Sequence, residues 1–194
     1  MKASSANANI TVQIDRYIRA RYPVIALLSH EESRVMTELR SLARVRDRKV
    51  VEWSITRGLV NLVNVDPDAT RDPVSALQVI SDLPGAPDTD TPLLFVFHDL
   101  HNVLNDAIVV RMIRDIALIF EGNRHTLILL SPTLQIPSDL EKTITLLDFP
   151  LPGVAEIQNI LTACVNELPS TVQVNLNGTN EDVVRSLLGL TEFE

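Results

Sequence analysis

Three clusters of side chains in this chain have the types and spacing that chemistry requires. His98, Asp99 and His101 close an apolar run at 93–97, Ser29, His30, Glu31 and Glu32 follow a second run at 24–28, and Ser131 follows a third at 125–130. An acid placed directly after a buried strand can hold Mg²⁺ or activate a water, so Asp99 is the first candidate. Two flanking histidines raise the thought of a metal centre. Zinc needs three protein ligands, however, and the single cysteine, Cys164, is distant in sequence, so no metal site is expected. Ser29, His98, Asp99 and Ser131 would converge at strand ends as a hydrolase-like set. The Gly-x-Ser-x-Gly elbow is absent around both serines, which are instead expected as cap or turn formers.

The segment after residue 28 bears on phosphate chemistry. A loop that cradles a polyphosphate needs glycines, so that successive N–H groups turn inward, and a lysine to reach the terminal phosphates. Between Leu28 and Met36 there is neither, and two carboxylates stand in their place. Ser29 with Glu32 has the spacing of a capping box, which predicts a helix start rather than an anion site. No catalytic residue and no cofactor are therefore expected in this chain. Ser29, His30, Glu31, Glu32, His98, Asp99 and Ser131 would line a vestigial crevice. The alternative is an ATP- and Mg-binding site of non-standard design that uses Asp99.

The elements that position these residues follow from patterning. Residues 24–28, 49–54, 93–97, 125–130 and 144–147 are apolar runs or strand-like stretches separated by helical patterns. Runs that are apolar on both alternate sets fit strands buried on both faces, so an α/β fold is expected. Its parallel sheet has about five strands with helices on both faces, and its ligands would lie at the carboxyl ends of the strands. Helices are predicted at 10–22, at 29–45, at 74–83 behind the cap-and-proline pair Asp72-Pro73, at 107–120, at 154–168 and at 179–188. Residues 1–9 read as a disordered lead-in, 56–72 as a long excursion, 84–92 as loop and 171–176 as extended. The expected organisation is a tail and amphipathic helix (1–22), an α/β core (23–152) and an all-helical tail (153–194).

Charge is uneven along the chain. The net charge is −8, yet residues 1–48 hold nine Lys/Arg against five Asp/Glu, and residues 138–194 hold two against nine. The basic face of helix 10–22, with Arg16, Arg19 and Arg21, is a candidate dock for an acidic partner or for another copy of the chain. Arg57 and Arg111 are candidates for contact with a neighbouring subunit. The acidic balance and the lack of aromatics among the cations argue against nucleic acid. One cysteine, no secretory signal and no long apolar run argue for a reducing compartment and against a membrane.

Several stretches resemble one family. RARYP at 19–23, WSITRG at 53–58, LSPTLQIP at 130–137, LEK at 140–142 and LDFPLP at 147–152 are similar to the N-terminal region of an AAA+ ATPase family. That family is known as a hypothetical chloroplast open reading frame of algal plastids and is common in cyanobacteria. The resemblance implies an AAA+-like core whose first nucleotide site is degenerate and a downstream region that carries the ATP and Mg chemistry. It also implies protein partners or a homo-oligomer, and a cyanobacterial cytosol or plastid stroma as the compartment. Ser29–Glu32 would stand at the phosphate loop, His98 and Asp99 at the metal-binding acids, Ser131 at a sensor position, and 153–194 as an incomplete lid.

Overall fold

The computed structural model describes residues 4–83, 91–167 and 180–191. Its elements are α1 (Ser4–Arg19), β1 (Val24–Leu28), α2 (Glu32–Val45), β2 (Lys49–Ser54), β3 (Gly58–Val60), α3 (Pro73–Asp82), β4 (Leu93–His98), α4 (Ala107–Glu121), β5 (Thr126–Ser131), β6 (Ile144–Asp148), α5 (Val154–Glu167) and α6 (Asn180–Ser186). Six strands form one sheet in the order β3-β2-β4-β5-β1-β6. All neighbours run parallel except β2 and β3.

The central strands earn their position by being apolar on both faces. Every residue of β4 and β5 is buried. Alternation divides their side chains between two cores. Leu94, Val96, Ile128 and Leu130 pack with Ile25, Leu27, the α1 residues Ile10, Ile14 and Ile18, and the α2 stripe Val35, Met36, Leu39, Leu42 and Ala43. Leu93, Phe95, Phe97, Leu127 and Leu129 pack with Trp53, Leu77 and Ile80 of α3, and Ile113, Ile116 and Phe120 of α4. Burying each such side chain contributes about 1.5–3 kcal/mol before entropy is counted, so the sheet holds its shape through packing alone.

The structure differs from the pattern reading at four points. The sheet has six strands, because WSITRG turns a hairpin and returns as β3, antiparallel to β2. Gly58 makes that return possible: its φ is +66°, and a Cβ there would lie 1.8 Å from the Pro67 carbonyl oxygen. Helix α1 begins at Ser4, so part of 1–9 is helix rather than lead-in. The capping box at α2 does not form, as described below. Ile108, one of the apolar residues on whose pattern the helix at 107–120 is predicted, is exposed. The expected loop at 84–90 and the expected extended segment at 171–176 lie outside the described residues. Among the described residues no helix is long and apolar enough to cross a membrane.

Two caps and one histidine fix the ends of elements on the α3/α4 side. Asp72 accepts from the Ser75 N–H at 2.8 Å ahead of Pro73, as its sequence implies. Asp106 accepts from the Ile108 N–H at 2.7 Å and starts α4. His125 is buried against Phe95 and Phe120, and its Nδ1 accepts from the Leu93 N–H at 3.0 Å, which ties the entry of β4 to that of β5. Burial pushes its pKa below the ordinary histidine range, and the nearby Arg48 and Arg124 charges add to the effect.

A histidine held neutral in the fold but free to protonate in the unfolded chain means the unfolded state binds more protons below its ordinary pKa of 6.5. Its contribution is complete above that value and is lost as pH falls from there toward the lowered folded value. The melting temperature should drop on acidification across that window. His125→Asn, which retains an acceptor for the Leu93 N–H without a titrating group, should flatten the dependence. Thermal melts from pH 7.5 to 5 check this, and equal slopes in both proteins would contradict it.

Candidate crevice at the carboxyl strand ends

The carboxyl ends of β1, β4 and β5 bring the expected residues to one rim of the sheet, but few of them do what their spacing suggested. Ser29 Oγ accepts from the Glu31 N–H at 3.0 Å, a short serine turn, and Ser29 N–H extends the ladder by bonding the Ser131 carbonyl at 3.1 Å. The residue before the first turn of α2 is Glu31, with φ −103° and ψ 64°, and it makes no side-chain cap. Ser29 therefore lies two residues too early to cap. Glu32 does not reach back to it, because its carboxylate lies 3.0 Å from His98 Nδ1. His30 is exposed.

The crevice is organised by Glu31 and Arg34, of which sequence reasoning weighed only the first. The Glu31 side chain is 1% exposed and the Arg34 side chain 9%. One guanidinium nitrogen of Arg34 donates to Glu31 Oε2 and to the Pro150 carbonyl. Another lies 3.6 Å from Glu156 Oε1 on α5, and the guanidinium sits 4.8 Å over the ring of Phe149. A side chain from α2 thus joins the turn after β1, the exit of β6 and the first turn of α5. Glu156 also accepts from the Gly153 N–H at 2.9 Å, which closes the start of α5 on itself. The available signal was an arginine beside an apolar helical stripe; its partner 116 residues away is a backbone carbonyl, which no pattern encodes.

A second buried carboxylate, Glu52 of β2, was also missed. Its oxygens lie 2.7 Å from Arg40, 3.8 Å from Arg57 and 3.9 Å from Nε2 of His98. An acid interrupting the apolar residues of KVVEWS was the legible clue. Arg57 therefore points to an internal acid, and Arg111 pairs with Asp115 at 2.6 Å on its own helix.

Asp99 adopts a left-handed backbone, with φ 55°. Its N–H bonds the Leu130 carbonyl at 3.0 Å, and its own carbonyl accepts from Asn102. Its carboxylate is 56% exposed and lies 3.8 Å from His101. Ser131 is buried, and its Oγ has no hydrogen-bond partner among the described residues. Among those residues no three His, Cys, Asp or Glu side chains converge as a metal site.

A triphosphate needs converging N–H donors and free cationic charge. The turn between β1 and α2 offers a buried carboxylate instead, and the nearest cation is already held by that carboxylate, a carbonyl and a second acid. The residues present do not fit the nucleotide.

The five parallel strands in the order β6-β1-β5-β4-β2, flanked by helices and followed by a helical segment, define an AAA-type α/β domain. The chain belongs to the family described as the SpoVK-like AAA ATPase, N-terminal domain, whose profile matches residues 10–149. The uncharacterized AAA domain-containing protein ycf46 of Trieres chinensis is 32% identical over 175 residues, which cover 90% of this chain and 34% of that protein. Its counterpart in Guillardia theta is 34% identical over 145 residues, covering 74% and 28%. The chain thus spans about a third of the length of these relatives.

Among solved structures, C. elegans PCH-2 superposes with a TM-score of 0.56 at 12% identity, covering 95% of this chain and 59% of that one. The E. coli MS115-1 HORMA:CdnC:Trip13 complex gives 0.50 at 16%, covering 85% and 56%. The Aeropyrum pernix ORC1 protein in complex with DNA gives 0.50 at 12%, covering 87% and 52%. At these identities the likeness is one of fold.

Removing Arg34 takes the paired cation away from a buried carboxylate, which costs about 3–5 kcal/mol for a pair of this kind. Arg34→Ala should lose that much in urea denaturation, and the α5 amides should exchange faster. A loss under about 1 kcal/mol with unchanged α5 exchange would contradict the arrangement.

Proposed function

We propose that this domain is a catalytically silent AAA-type module with a regulatory or assembly role, and that the ATP chemistry of its family resides outside these residues. One observation carries the reading. The place between β1 and α2 that would receive phosphate is filled by the Glu31–Arg34 pair, which also holds Pro150 and Glu156. The task that a nucleotide would perform, tying the segment after β6 to the core, is done by the protein's own charges. The coverage of about a third of the ycf46 relatives supports a division of labour within a longer protein. Protein partners or further copies are the ligands that suit such a module, and the algal relatives accord with a plastid stroma or cyanobacterial cytosol.

The test is thermal unfolding of the chain with millimolar ATP or ADP and Mg²⁺. A ligand at 100 times its dissociation constant would add about 2.7 kcal/mol, a shift of several degrees. No shift is expected. A shift that vanished on Asp99→Asn would favour the alternative, a nucleotide site built on Asp99.

A further inference from the structure

We propose that the outer edge of β6, with the basic cleft beside its first residues, binds an extended acidic segment of a partner protein that adds to the sheet as a further strand. The site lies apart from the crevice, and its fate does not depend on the nucleotide question.

Strand β6 is the last in its sheet, and among the described residues it pairs only with β1. In a parallel strand alternate residues turn both backbone groups to the same neighbour. The Phe149 N–H bonds the Leu28 carbonyl, so Thr145 and Leu147 also face β1 and Leu146 faces outward. Leu146 is 46% exposed. Natural edges are usually blunted by proline, by an inward charge or by a covering element. Here the middle of the edge presents an apolar side chain and backbone groups that pair with no strand among the described residues.

A cleft of ≈ 420 Å³ opens beside Thr143 and Thr145, walled by α4 and by the turn at 20–23. Arg21, Arg114 and Lys142 line it, and no carboxylate among the described residues forms an ion pair with any of them. Arg111, also in the wall, is held by Asp115, and Glu121 is the single acid there. Arg21 is fixed in place: its φ is 61°, and the turn is closed by bonds from its own N–H to the Ile18 carbonyl and from the Tyr22 N–H to the Tyr17 carbonyl. The chain carries 25 acidic and 17 basic residues, so this cleft has the opposite sign to the molecule as a whole. Exposed Leu118 in the same wall adds an apolar contact.

Backbone groups at the edge supply affinity in strand addition, and side-chain sites supply choice. The choice written here is for carboxylates. A second copy pairing β6 against β6 would bring a strand with one acid, Asp148, to a cleft lined by Arg21, Arg114 and Lys142. The three arginines once grouped as a single basic face are thereby divided, because Arg21 lines this cleft while Arg16 and Arg19 do not.

The test uses a fluorescein-labelled octapeptide of alternating valine and glutamate, with lysine replacing glutamate in the control. Anisotropy at low salt should show the acidic peptide binding at least about tenfold more tightly, with the difference shrinking as salt rises. Arg114→Glu with Lys142→Glu should weaken it at least about tenfold. Leu146→Pro should do the same, because the lost N–H faces away from β1 and the ladder is kept. Circular dichroism checks that each variant folds. Independently of any variant, saturating peptide should slow exchange of the Leu146 amide in the wild type. Binding that survives the charge reversal, or an unchanged Leu146 amide, overturns the proposal. So does a dimer in light scattering that excludes the peptide, since the edge then belongs to a second copy.

Discussion

A carboxylate that is 1% exposed cannot stand alone, and the region beyond β1 is arranged around that constraint. A carboxylate taken out of water needs an opposite charge or hydrogen-bond donors at contact distance. Arg34 supplies it from one helical turn away, but a buried guanidinium has five N–H donors to satisfy and one carboxylate does not suffice. The Pro150 carbonyl accepts from the same nitrogen, Glu156 lies 3.6 Å from a second and the Phe149 ring faces the group, while Nε and Nη1 have no hydrogen-bond partner among the described residues. A single arginine on α2 thereby links the exit of β6 with the first turn of α5.

That requirement is separate from what keeps the sheet intact. The two cores on either side of β4 and β5 are clusters of apolar side chains, and they hold the strand ends in place whatever lies above them. A sheet of this kind tolerates loss of a ligand site because ligand contacts contribute little to its packing. Charged residues can then stand at the strand ends without penalty to the fold, provided they satisfy one another. Glu52, Arg40 and Arg57 show the same solution on β2, with His98 between the two groups of acids.

The central strands and most helices were legible because their signals are local: double-sided apolar runs, a 3.6-residue stripe, and Asp72 before Pro73. Strand β3 was not, since three residues carry no period and its pairing depends on the left-handed turn at Gly58. The capping box failed for a different reason. Ser29 and Glu32 have the right spacing, but Glu32 has a better partner in His98, which arrives from a strand some 65 residues further along the chain. The pattern places Asp99 after a buried strand but does not show that its backbone makes the bonds while its carboxylate is 56% exposed. Side-chain direction at a strand end depends on the local φ, which composition does not reveal.

The most direct measurement is a double-mutant cycle in urea with Glu31→Gln, Arg34→Met and the two together. A mutually compensating buried pair predicts that each single change is costly and that the double is less destabilising than the sum by at least about 1.5 kcal/mol. Additive losses, within about 0.5 kcal/mol, would mean that the two charges do not hold each other and that the crevice is not filled in the way described.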